Sequence, residues 1–126
     1  MRSGRTVPGV NDGAPSSEQV KDEIAREISR VHLDAYGEPV SNLEVAIHDG
    51  FVAVMMEIEL SRAEETLIDA GSPESVKVSR EAFQGAIEAT FTAIVERATG
   101  RRVTSFASRT VVLESPPWSV EVFRFA

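Results

Sequence analysis

Apolar and polar positions alternate most cleanly between Leu43 and Leu60. Leu43, Val45 and Ile47 are followed, across Asp49-Gly50, by Val52, Val54, Met56 and Ile58. A period of two puts such a set on one face of a strand. Asp-Gly is the pair favoured by a two-residue type I′ turn, because both centres need positive φ. With that loop, His48 lies opposite Phe51, Ile47 opposite Val52, Val45 opposite Val54 and Leu43 opposite Met56. The pattern predicts a β-hairpin with one buried face. The other face carries Glu44, Ala46, His48, Phe51, Ala53, Met55, Glu57 and Glu59. Phe51, Ala53 and Met55 are too apolar for a solvated face, so a helix or a second subunit is expected to cover them, and a subunit interface is the favoured reading.

Elsewhere the apolar period lengthens to that of a helix. Val20, Ile24, Ile28, Val31 and Ala35 form one stripe over residues 17–36. Ser16 with Gln19 makes a capping box ahead of it, Gly37 offers a left-handed end, and Pro39 forbids continuation. Ser61-Arg62-Ala63-Glu64 is a second capping box, opening a short helix with Leu67 and Ile68 as its buried side and Gly71 at its end. Ser72-Pro73 starts a third helix. Its stripe is Val76, Phe83, Ile87, Phe91, Ile94 and Ala98, widened by Val95, and Thr99-Gly100 closes it. At roughly 27 residues it measures about 40 Å. Gly85 within it costs about 1 kcal/mol relative to alanine, for which close packing against a neighbouring backbone is a reason.

Val103 to Leu113 and Trp118 to Phe125 are rich in strand formers and flank Glu114-Ser-Pro-Pro117. Pairing Leu113 with Trp118 sets Val111 opposite Val120 and Phe106 opposite Phe125, a second hairpin. The expected fold is therefore α+β, in the order helix, hairpin, helix, helix, hairpin, with a four-stranded antiparallel sheet packed on helices. Residues 1–15, with Gly4, Pro8, Gly9, Gly13 and Pro15, are expected to be a disordered tail, and 16–126 a single domain.

Composition narrows the function classes. The 126 residues contain no cysteine, which excludes disulfides, thiolate metal sites and a cysteine nucleophile. No apolar run approaches the ~20 residues of a membrane span, and the first ten residues lack the apolar stretch of a secretory signal, so a cytoplasmic location is expected. Net charge is −7, and the first fifteen residues carry +1 of it, leaving −8 on the folded part. Such a surface repels phosphate backbones, and nucleic-acid binding is not expected.

Candidate chemistry is sparse. His32 and His48 have no partner at ligand spacing, so no metal site or cofactor is expected. Glu57 and Glu59 share a strand face about 7 Å apart, a spacing compatible with acid/base pairs, but a solvated strand face explains them more simply. No Walker loop, dinucleotide fingerprint or nucleophile elbow occurs. No catalytic residue is assigned and the chain is expected not to be an enzyme, Glu57 or His48 being the groups an enzymatic reading would need. The basic residues Arg80, Arg101, Arg102 and Arg109, with Lys77, are candidates for a small anion-binding patch.

Several of these segments together resemble a known family. Ile28-Ser-Arg-Val-His-Leu-Asp-Ala-Tyr-Gly-Glu-Pro39 is similar to the helix-to-strand entry of the MpsC family, usually written with a Tyr-Gly-x-Gly-Pro core. Leu60-Ser-Arg-Ala-Glu-Glu-Thr-Leu67 with Ala70-Gly71 resembles its post-hairpin helix. Val78-Ser-Arg-Glu-Ala-Phe83, then Thr99-Gly-Arg-Arg-Val103 with Ser105 and Ser108, resemble its long helix and exit, and Val120-Glu-Val-Phe123 its closing strand. Glu38 departs from the glycine-containing pair, and Arg109 stands where an acidic residue is common. The family is a set of small bacterial proteins named for a Na⁺-translocating membrane-potential-generating system. The resemblance implies a soluble accessory protein of membrane ion or inorganic-carbon transport, with no catalytic residues to carry over. The leading expectation is a non-enzymatic homodimer that docks on the cytoplasmic side of a membrane complex. The alternative is a small-molecule or anion-binding sensor built on the four arginines.

Overall fold

The computed structural model describes residues 16–126; the tail expected over 1–15 lies outside the described residues. Helix α1 spans Ser17–Tyr36. Ser16 Oγ accepts from Gln19 N–H at 3.1 Å, and the Gln19 side chain accepts from Ser16 N–H at 2.7 Å, so the capping box closes in both directions. Gly37, at φ 77°, ends the helix and donates to the Leu33 carbonyl. A side chain in that left-handed conformation would cost roughly 1–2 kcal/mol. Ile24 and Ile28 are fully buried beneath the helix.

Strands β1 (Val40–Ile47) and β2 (Phe51–Ile58) form the first hairpin, with Asp49-Gly50 as its two-residue loop. Ile47 pairs with Val52 and Val45 with Val54. Two details differ from expectation. The loop is not type I′: among the described residues positive φ occurs only at Asn42, Gly37, Gly71 and Gly100. Gly50 instead offers its carbonyl to the Phe125 N–H at 3.0 Å, which prolongs the ladder of the neighbouring strand past the turn. Nor does the simple pairing of Leu43 with Met56 hold, because the register shifts between Ser41 and Glu44. Asn42, at φ 47°, takes up the extra residue and its side chain donates to Glu57 Oε1 at 2.7 Å. This is a β-bulge, which strengthens local twist.

Helix α2 (Arg62–Asp69) has the expected capping box, Ser61 with Glu64. It contributes no buried residue, and Leu67, expected inside, is exposed. Helix α3 (Pro73–Thr99) begins at Ser72, whose side chain makes no capping hydrogen bond, and ends at Gly100. Its inner line differs from the apolar stripe. Val76 is followed inward by Arg80 and Gln84, then Phe91, Ile94, Val95 and Ala98, while Phe83 is exposed. Steps of four from Val76 reach Arg80 and Gln84, so helical geometry places these polar residues inside and leaves Phe83 at the rim. Gly85 is also exposed, and nothing lies within 4 Å of where a Cβ would sit, so intrachain close packing does not account for it.

Strands β3 (Val103–Val111) and β4 (Trp118–Phe125) form the second hairpin, two residues out of the expected register. Val111 pairs with Trp118, Arg109 with Val120 and Phe106 with Phe123. The connection runs over residues 112–117 rather than 114–117. Val112 is drawn into the interior, the Pro117 carbonyl accepts from Ile58 N–H, and Trp118 Nε1 donates to Glu114. A shift of two preserves the faces of both strands.

The architecture is α+β, three helices and one antiparallel sheet in the order β1-β2-β4-β3. Helix α1 packs on the β1 side and α3 on the β3 side of one sheet face. Between them lie Val52, Val54, Met56, Ile58, Phe123 and Phe125 with Ile24, Ile28, Phe91, Ile94, Val95 and Ala98. Full burial of each large member contributes on the order of 1.5–3 kcal/mol.

Candidate functional site

Among the described residues no helix packs on the opposite face of the sheet, and the strand pairings arrange it as four rows. His48, Phe51, Arg124 and Ser105 form the first, Ala46, Ala53, Val122 and Ala107 the second. Glu44, Met55, Val120 and Arg109 form the third, and Ser41, Glu57, Trp118 and Val111 the fourth. The structure thus brings Phe51, Ala53 and Met55 together on β2 and adds Val120, Val122, Trp118 and Val111 beside them. Phe51 is 37 % and Met55 50 % exposed. Opposite charges stand at the two edges of the third row, Glu44 on β1 and Arg109 on β3. His48 stacks on Phe51 with ring centroids 4.7 Å apart. A cleft of about 360 Å³ opens at one end, lined by Asn42, Glu44, Met55, Glu57 and Trp118 together with the 114–116 turn. Glu57, half-buried, therefore borders a cleft, whereas Glu59 is exposed, lies beyond the end of β2 and is not among its lining residues.

Behind this face the interior is unexpectedly polar. Along β4, Ser119 and Glu121 point inward with Phe123 and Phe125, while Trp118, Val120 and Val122 point outward. On β3, Ser108 and Thr110 face inward beside them, paired with Glu121 and Ser119. Half of the β3–β4 ribbon is therefore inverted, polar inside and apolar outside. Glu121 is fully buried, and Ser108 Oγ donates to its Oε2 at 2.7 Å. Burial pushes its carboxyl up to about 7, the Ser108 hydrogen bond working the other way. Its Oε1, Gln84 Oε1, Thr110 Oγ1 and Ser119 Oγ meet no hydrogen-bond partner among the described residues.

A second polar group ties the three helices. Arg80, almost fully buried, donates from Nε and Nη2 to both carboxylate oxygens of Glu64 at 2.7 and 2.8 Å, and from Nη2 to the Glu59 carbonyl. Its guanidinium lies 4.5 Å from the centroid of the Tyr36 ring, which is itself 4.3 Å from the ring of His32 and 4.8 Å from that of Phe83. Burial works to raise the Glu64 carboxyl, but the bonds from Arg80 and Ser61 outweigh it and hold the group below its ordinary value. Burial pushes Tyr36 up to about 12 and pulls His32 down to about 4. His32 is thus neutral at pH 7, and its Nδ1–H is the donor that the Glu38 carbonyl at 3.3 Å requires. Both His32 and Glu121 are sealed from solvent, so their shifted protonation bears on the fold.

The four candidate arginines do not meet. Arg80 is committed to Glu64, and nineteen residues of helix, about 28 Å, separate it from Thr99 at the far end of α3. Arg101 lies over the Phe125 ring at 4.1 Å, and both Arg101 and Arg102 are exposed. Arg109 stands seven strand residues, roughly 23 Å, from Arg102, back beside the start of α3, where it lines a groove with Pro73, Glu74 and Lys77. One anion site using all four is therefore not formed. Among the described residues no group of three or more His, Asp or Glu is placed to hold a metal ion.

The inward Arg80 and Glu121 were hidden by the assumption that apolar residues alone mark the buried face. Strict periodicity would have found both, since Arg80 lies four residues from Val76 and Glu121 two from Phe123.

These features define a small α+β protein whose sheet is closed by helices on one side and presents an apolar, charge-edged face on the other. Over residues 16–123 the chain matches the MpsC family, described as Na⁺-translocating membrane potential-generating system, and it belongs to that family. Membership associates it with such a system. No helix among the described residues is long and apolar enough to cross a membrane. No curated protein matches the chain, and no solved structure does.

Proposed function

We propose that this protein is a non-enzymatic accessory or regulatory component of the membrane-potential-generating system, acting at its cytoplasmic side through protein–protein contact. A second copy of the chain is the first partner of its open sheet face. The observation that carries the reading is the pairing of inverted strand faces. Apolar side chains at Val120, Val122 and Trp118 are turned outward although polar ones occupy the interior beneath them. A monomer gains nothing from that arrangement, whereas a protein that buries the outer face against another does. The groups with the largest shifts in protonation, His32 and Glu121, are enclosed, which supports a binding rather than a catalytic role.

Crosslinking in native cells followed by affinity recovery of this protein tests the proposal. A membrane subunit with ion-translocating features is expected in the crosslinked product, and its yield should fall when Phe51 or Met55 is replaced by lysine. Recovery of this protein alone, whether or not the membrane is energised, would refute the accessory role.

A further inference from the structure

We infer that the open sheet face closes against a second copy about a two-fold axis parallel to the strands, running between β2 and β4. The inference rests on the reading of this face as a protein contact and adds its geometry. The charges select the axis. A two-fold along the strands lays β1 of one copy over β3 of the other without changing the row, so Glu44 faces the second copy's Arg109, and the pair occurs twice. An axis across the strands lays each strand on its own equivalent. Centred on the third row it would set Glu44 against Glu44 and Arg109 against Arg109, and centred elsewhere it pairs neither charge.

Distances agree. Facing sheets pack about 10 Å apart, a gap that a glutamate and an arginine span when they extend toward each other. In the same arrangement Met55 meets Val120, and Ala53 meets Val122. The small second row leaves room into which Phe51 and Met55 of both copies lean. Among the described residues Arg109 has no ion pair within its own chain, and neither has Glu44, so each is available to a facing charge. The four strands at about 4.8 Å spacing and seven residues at about 3.3 Å give roughly 450 Å² of sheet per copy. Two copies together approach the ~1,000 Å² at which specific interfaces begin. Area alone gives such a dimer little margin, which makes it sensitive to the two ion pairs.

Sedimentation equilibrium of the full chain, across a concentration range up to about 0.1 mM, tests this with Glu44→Arg, Arg109→Glu and the double variant. Both residues are exposed, and circular dichroism checks that each variant folds. The wild type should dimerise, either single reversal should weaken association about tenfold by facing like charges twice, and the double variant should recover most of the loss. Three results overturn the geometry: a monomeric wild type, a dimer indifferent to both reversals, or a double variant no better than the singles. Native-cell crosslinking reports on the membrane partner, so failure of this geometry is distinguishable from failure of the accessory role.

Discussion

Replacing Glu121 by glutamine should change how stability depends on pH, and the change can be worked from two buried groups of opposite sign. Glu121 titrates near 7 in the folded protein against an ordinary value of 4.5. Between those values the folded chain holds a proton that the unfolded chain has lost, so stability falls as pH rises, by about 1.4 kcal/mol per pH unit. His32 titrates near 4 in the folded protein against an ordinary 6.5. Between those values the unfolded chain holds the extra proton, so stability falls as pH drops, with a similar slope. From about pH 4.5 to 6.5 the two slopes nearly cancel. Glu64, held below its ordinary value, and Tyr36, near 12, titrate outside that window. The wild type should therefore be flat across it, whereas Glu121→Gln removes the falling slope and leaves the rising one. Between pH 4.5 and 7.5 the variant should gain about 3 kcal/mol on the wild type. Urea unfolding at pH 4.5, 5.5, 6.5 and 7.5, followed by circular dichroism, measures the difference. Parallel stability curves for the two proteins would refute the assignment of a buried, proton-holding carboxyl at this position.

Other perturbations follow from the same geometry. Glu64→Ala strands the buried Arg80 guanidinium and should cost about 3 kcal/mol, while a double Glu64→Met, Arg80→Met variant should recover most of it, because a buried pair contributes less than the penalty for breaking it; chemical denaturation checks both. Phe91→Ala opens a cavity between α3 and the sheet and should cost about 3–5 kcal/mol in the same assay. Gly85→Ala, with nothing near its added Cβ, should raise stability by up to about 1 kcal/mol. A destabilised Gly85→Ala protein would show that this helix face is covered in solution.

Local chemistry made much of the fold legible. The capping residues Ser16 and Ser61, the terminators Gly37 and Gly100, and the periods of two and 3.6 place the helices and the first hairpin, because each acts on its own few neighbours. What escaped depended on contacts remote in sequence. Gly50 is pulled out of a type I′ turn by Phe125, seventy-five residues away. The second hairpin's register follows from the capture of Val112 by the core and of the Pro117 carbonyl by Ile58. Of the candidate site, Phe51, Ala53 and Met55 were visible as apolar residues on an expected polar face. The arginines looked like a group only because sequence hides the roughly 28 Å of helix between Arg80 and the Arg101-Arg102 pair.

Strand β4 shows why the two unexpected layers belong together. Its second half is ordinary, with Phe123 and Phe125 inward and Arg124 outward. Its first half reverses the rule, placing Ser119 and Glu121 inward beneath outward Trp118, Val120 and Val122. A one-residue slip would bury the valines and expose the glutamate, and would seem to relieve both costs at once. It would also turn Phe123 and Phe125 to solvent, each a loss on the order of 2–3 kcal/mol. The aromatic half therefore fixes the register, and the polar half must be tolerated by Ser108 and by the proton that Glu121 retains. Residues that break a local rule in this way persist where they serve a contact. The outward valines are the part of the strand that another protein can reach, and under the proposed contact their burial is the compensation for the polar layer behind them.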